Sequence, residues 1–231
     1  MGTRGLTMVV SNHQTKVAQY GQWDHYPSGQ GCTALATLKE IAEKNDWDSF
    51  KNKVNSLRWF TEAEYEQLKE MSDDDLLARY PQLSRDWAAL ILEAIYKGQV
   101  VKEERNWANN QTTVVTTTFN NIECQQNQGN FAADSLFCEW AYVIDLDKMT
   151  LEVFNGFNKE PLVEGDRFYE LQDKLIAEKA AKGRQVEYYP VKLVKSYDLN
   201  NLPDARTFCN ECEEREEEDE DVEPANDAAQ A

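Results

Sequence analysis

A small set of residues near the start of the chain has the types and spacing for chemistry. Gly2–Thr3 is a junction after which a threonine could stand as a nucleophile, its own freed amine acting as base. Arg4 follows as a fork for an anion. About twenty residues on, the segment YGQWDHYPSGQG (Tyr20–Gly31) carries Trp23, Asp24, His25, Tyr26, Ser28, Gly29 and Gly31. Asp24 beside His25 is an acid–base or orienting pair, although a loop histidine facing solvent is the simpler reading. Glycines at a helix start expose backbone N–H groups that can hold an anion. Much later, Asn155 ends an apolar hairpin, where its amide could serve as an oxyanion donor. Thr3, Asp24 and Asn155 are therefore the candidate catalytic residues. Arg4, Trp23, His25, Tyr26, Ser28, Gly29 and Gly31 are the candidate ligand-binding residues.

Two further patterns are weaker. GQGCTA matches G-x-G-x-x-A through Gly29, Gly31 and Ala34. A dinucleotide fingerprint needs a strand directly before it and a parallel strand after its helix. Here a hairpin precedes and more helix follows, so a glycine-rich helix entry explains the pattern better. Cys209 and Cys212 have the C-x-x-C spacing of half a zinc site, with no second pair to complete it. A run of acids follows and disfavours thiolates, so the pair reads as two exposed thiols at the root of a tail. No metal and no cofactor is expected.

Composition narrows the partners. The net charge is −18 over 231 residues, and Cys209–Ala231 alone carries 11 acids against one base, leaving −8 for residues 1–208. An acidic body repels phosphate backbones and argues against general nucleic-acid binding. A small anion held locally by an arginine stays compatible with it. Five cysteines at irregular spacings argue against a disulfide framework. No long apolar span or signal-peptide pattern is seen, so the expectation is a cytoplasmic protein without membrane contact.

The elements that must position these residues can be read in outline. Gly5–Val10 and Thr15–Trp23 form an N-terminal β-hairpin. Residues 29–98 are nearly all helical: Ser28 is the expected cap of the first helix, Thr61 with Glu64 forms a capping box, and Ser84 to Gly98 bounds the last. Thr112–Phe119 is β-branched and strand-like. Phe137–Leu146 and Thr150–Phe157 make a second hairpin, with Asp145, Asp147 and Asn155 as turn and strand-end residues. A helix over 165–183 and a strand over 185–197 follow, Pro190 suiting an edge. The class is α+β with a largely antiparallel sheet. One domain covers 1–203, and 204–231 is expected to be a disordered acidic tail.

With MGTRG, KVAQYGQWDHYPSGQG and WAYVIDLDKMTLEVFNG in view, the chain resembles a family of uncharacterised proteins from phages and bacteria over about residues 1–160. The resemblance implies that Thr3, Arg4, Trp23, Asp24, Tyr26, Pro27, Ser28 and Gly29 form the family's defining surface. His25 stands where a small residue such as glycine is expected. The chain also bears a weak resemblance to N-terminal-nucleophile hydrolases: a Gly–Thr junction, an immediate hairpin, and a polar QWD after its second strand. That likeness implies an αββα sandwich, Thr3 as nucleophile and amide-bond hydrolysis. The arginine such enzymes carry near Asp24 is missing, and Arg4 would have to replace it.

Two function classes follow. One is a small polar or anionic ligand cleft beside the N-terminus, with Ntn-like amide hydrolysis as its chemistry. The other is a non-enzymatic acidic protein, such as a phage-encoded host modulator or nucleic-acid mimic, that occupies a basic surface on a host protein.

Overall fold

The computed structural model of the protein describes residues 2–106, 110–120, 122 and 124–213. Its centre is a five-stranded sheet. Strands β1 (Gly5–Ser11) and β2 (Gln14–Gly21) form the expected hairpin, turned by Asn12 and His13 in left-handed conformation. Strands β7 (Trp140–Asp145) and β8 (Thr150–Asn155) form the second, and β9 (Lys192–Asp198) completes the order β2-β1-β7-β8-β9. Only β1 and β7 pair in parallel; the other three pairings are antiparallel. The class is thus mixed α and β, with the largely antiparallel sheet expected. Strand β9 lies on an edge but begins only at Lys192, so Pro190 stands before it rather than within it as expected.

Both faces of this sheet are covered, which the residue alternation explains. Val9, Val17, Trp140, Tyr142, Ile144, Leu151 and Val153 join one core with α1 (Cys32–Glu43), α2 (Trp47–Asn55) and α5 (Leu90–Lys97). Leu6, Met8, Val10, Ala141, Val143 and Phe154 join the other, with Phe168, the residue leading into α6 (Tyr169–Ala181). All seven residues of β1 are buried, as a central strand demands. The other sheets among the described residues are two-stranded: β3 (Arg58–Trp59) with β6 (Cys124–Gln125), and β4 (Gln99–Asn106) with β5 (Gln111–Thr118).

Within the helical cluster, α3 (Glu62–Lys69) carries the predicted capping box of Thr61 and Glu64, and Ser72 caps α4 (Asp73–Arg79). Gly98 ends α5 in the left-handed region, φ 73°, as its sequence position implies. Ser84 does not cap that helix. Pro81–Leu83 forms a short 3-10 turn and α5 starts only at Leu90. Ser28 does not cap α1 either: a wide π-type turn over Pro27–Gly31 runs straight into the helix without a side-chain cap.

The boundary expected at 203 moves. Residues Ala205–Glu213 form a helix, α7, whose Phe208 and Cys212 are buried in the first core. Its cap is Asp204, which accepts hydrogen bonds from the Arg206 and Thr207 amides. The expected disordered tail therefore starts too early. Its remainder, 214–231, lies outside the described residues. No helix among the described residues is long and apolar enough to cross a membrane.

Candidate functional site

The opening segment is organised around its histidine. Gly5 and Gly21 are paired across β1 and β2. Two facing glycines leave a notch in the sheet, and the His25 ring fills it. A Cβ on Gly5 would come within 2.3 Å of His25 Cδ2, and one on Gly21 within 2.2 Å of Cε1. Tyr142 stacks on the other side, ring centroids 6.1 Å apart, and its hydroxyl donates to the His25 carbonyl at 2.7 Å. The His25 amide donates to the Thr3 carbonyl at 3.1 Å.

His25 is thus 0% exposed, and neither ring nitrogen has a hydrogen-bond partner. Burial lowers its pKa to about 3, so the ring is neutral. A solvent-facing or ligand-binding histidine is replaced by a structural wedge. Space decides this: two opposed glycines can be filled only by a neighbour's flat side chain, and His25 is the one the turn delivers.

The turn itself is closed by the backbone. Asp24 takes a left-handed φ of 57°, and its carbonyl accepts from the Gln30 amide at 2.7 Å. Its carboxylate accepts from the Tyr26 hydroxyl at 3.4 Å, and that charge raises the Tyr26 pKa. Gly29 lies against the Asp24 carbonyl, and Gly31 is buried beneath Tyr142 and Phe208. Ser28 is exposed. Trp23 projects from the turn, 49% exposed, with Gly2 packed at its ring.

The candidate residues share one end of the sheet, but they do not form one constellation. Thr3 reaches the turn through its carbonyl. Asn155 is half-buried at the end of β8, paired with Trp140 and Lys192, so Trp140 stands between it and the Gly5 position. A cavity of about 540 Å³ is lined by Gln14, Thr15, Lys16, Leu57, Arg58, Trp59 and Asn127. It sits at the other end of β2. The second lies between α1 and residues 200–202. The candidate site is therefore a corner of the surface rather than either of these clefts.

What does stand at that corner is an arginine with aromatic support, beside the carboxylate of Glu139. The Arg4 guanidinium lies 4.4 Å from the Phe137 ring centroid, and the Arg4 amide donates to Glu139 Oε1 at 3.2 Å. The Glu139 amide returns a bond to the Arg4 carbonyl at 3.0 Å. The Tyr20 hydroxyl donates to Gln22 Oε1, and the Gln22 amide donates to the Arg85 carbonyl at 3.0 Å. Burial raises the Tyr20 pKa, while the charges of Arg4 and Arg85 oppose that shift. Neither arginine makes an ion pair among the described residues. Arg85, Tyr20, Gln22, Phe137 and Glu139 were not among the residues singled out by sequence. No spacing announces them, because the parallel β1–β7 pairing and the loop before α5 bring them together.

The remaining acids and thiols have other roles. Asp145 caps its own turn through the Asp147 and Lys148 amides, and Asp147 receives the Asn12 and His13 amides. Arg167 bridges Asp145 and Glu152. The CNEC cysteines are part of α7, with Cys212 buried, rather than exposed thiols on a tail. No group of three or more His, Cys, Asp or Glu among the described residues could hold a metal ion. No protein-family model, curated protein or solved structure matches the chain.

Proposed function

We propose that the protein binds a small anionic ligand, a carboxylate or phosphate, at the N-terminal corner. The observation that carries this is the placement of two arginines without ion-pair partners at one strand end: Arg4 precedes Gly5, which pairs with Gly21, and the Arg85 carbonyl accepts from the Gln22 amide at 3.0 Å, in a chain of net charge −18. Several other exposed cations are taken up by carboxylates: Lys44, Lys97, Arg58 and Lys192 all pair with glutamates. Arg4 lies over the Phe137 ring, a cation–π contact that supports the guanidinium, and a guanidinium can offer two N–H groups to a bidentate acceptor. Exposed Trp23 offers an apolar wall from the turn. The test is titration calorimetry with inorganic phosphate and with citrate. Arg4→Ala and Arg85→Ala are each expected to weaken binding about tenfold, the loss of one charged hydrogen-bonding partner. Lys16→Ala, at the far end of β2, is expected to leave it unchanged. Equal binding by all three variants refutes the proposal.

A second reading, amide hydrolysis by Thr3 within an αββα-type fold, is favoured by one observation: Thr3 leads into β1 at the sheet end that also carries Asn155. It requires a mature terminus at Thr3. The intact mass of the purified chain tests it directly, and retention of Gly2 removes it.

A further inference from the structure

Three thiols gather where α7 meets the start of α1. Cys32 is the first residue of α1, and its Sγ lies 3.5 Å from Cys209 Sγ on α7, although the two are 177 positions apart in sequence. Both are half-buried, so a small reagent can reach them. Cys212 is turned into the core, with its sulfur 3.6 Å from the Tyr197 hydroxyl. A disulfide needs the Cys32 and Cys209 sulfurs to close by only about 1.5 Å, within the range of side-chain rotation.

We propose that Cys32 and Cys209 form a reversible disulfide that straps α7 to α1. The oxidant is a small-molecule disulfide such as oxidised glutathione. The Cys32 thiolate attacks one glutathione sulfur, breaking that S–S bond and releasing one glutathione thiolate. The Cys209 thiolate then attacks the Cys32 sulfur of the mixed disulfide and releases the second glutathione. Two protein thiols are oxidised, one glutathione disulfide is reduced to two thiols, and the two cysteine protons pass to them.

The strap has something to hold. Helix α7 is the last described element and is only nine residues long. It closes directly over the Pro27–Gly31 turn: a Cβ on Gly31 would come within 2.9 Å of the Phe208 ring. A short helix held by a few side chains opens locally more readily than the sheet beneath it. A covalent tie to α1 would suppress that opening.

The test uses the full chain equilibrated in glutathione buffers of rising oxidised fraction. Free thiols are then alkylated and the digest mapped by mass spectrometry. The expected result is loss of two of the five thiols, a cross-linked peptide pair carrying Cys32 and Cys209, and amide exchange in 205–213 slowed by about tenfold. Five free thiols throughout, or a Cys209–Cys212 link instead, overturns the pairing. Equal exchange rates in the two forms overturn the strap. Cys32→Ala is expected to keep all its remaining thiols under the same buffers. The wild-type mapping stands even if that variant folds poorly.

Discussion

The buried His25 gives the sharpest quantitative test of this architecture. Its folded pKa is near 3, against 6.5 for an unperturbed histidine. The unfolded chain therefore binds one more proton than the folded chain between those values. Stability is full above the unfolded pKa and falls as pH drops toward the folded one, by about 1.4 kcal/mol per pH unit. Between about pH 7.5 and pH 5 the loss from this one ring amounts to about 2 kcal/mol. The perturbation is replacement of the titrating group, His25→Gln or His25→Phe, each of which fills part of the notch without gaining a proton. Urea midpoints followed by tryptophan fluorescence at the two pH values give the stability of each protein. Wild type is expected to lose about 2 kcal/mol more than either variant on acidification. Asp134, whose carboxyl is pushed up by burial, acts with the opposite sign at lower pH, but it is common to all three proteins and cancels in the difference. If wild type and variants lose the same stability to within about 0.5 kcal/mol, His25 titrates freely and the sealed-wedge account fails.

Other perturbations probe the surrounding framework. Arg167→Ala strands Asp145 and Glu152, both buried, and is expected to cost about 3–5 kcal/mol in chemical denaturation; a loss below about 1 kcal/mol would show those carboxylates to be well solvated. Gly5→Ala would set a Cβ 2.2 Å from the Trp140 carbonyl oxygen, and overpacking of this kind costs about 1–3 kcal/mol, read as a lowered melting temperature. Phe208→Ala empties a fully buried ring site and is expected to destabilise by about 3–5 kcal/mol. An unchanged melting temperature there would mean that α7 is not part of the folded core.

How far the fold could be read from sequence depended on how local its signals were. The two hairpins, the Thr61–Glu64 box and the Gly98 stop are written in adjacent residues, and each stands where its pattern places it. Strand β4 was missed because QVVKEERN has a charged half that no periodicity marks; it exists through its pairing with the β-branched β5. Helix α7 was missed for a compositional reason. It is short and polar overall and runs straight into the acidic segment, so only the placement of Phe208 and Cys212 on one face carries the burial signal. His25 was misplaced because the notch that holds it is made by glycines four and twenty residues away, whose pairing is a property of the hairpin register. Arg85 and Phe137 were invisible for the same kind of reason, since both join Arg4 only through tertiary contacts.

These long-range features meet at one residue, which links the corner to the C-terminal helix. The Tyr142 hydroxyl holds the His25 carbonyl, its ring stacks on the imidazole, and its other side is tilted against Phe208 at a centroid distance of 6.5 Å. Gly31 approaches Tyr142 and Phe208 together. The turn that carries Trp23 therefore rests on a tyrosine whose packing is completed by α7. Burial, with smaller contributions from the nearby thiols and Glu213, pushes the Tyr142 phenol well above its usual ionisation range, so this support is neutral. The consequence is directional. Loosening α7 removes the outer wall of Tyr142 first, and through it the hydrogen bond that sets His25 in its notch. Arg4, anchored instead by Glu139 and Phe137, keeps its own supports. The Trp23 wall of the corner should thus respond to the state of α7, while its arginine fork should not.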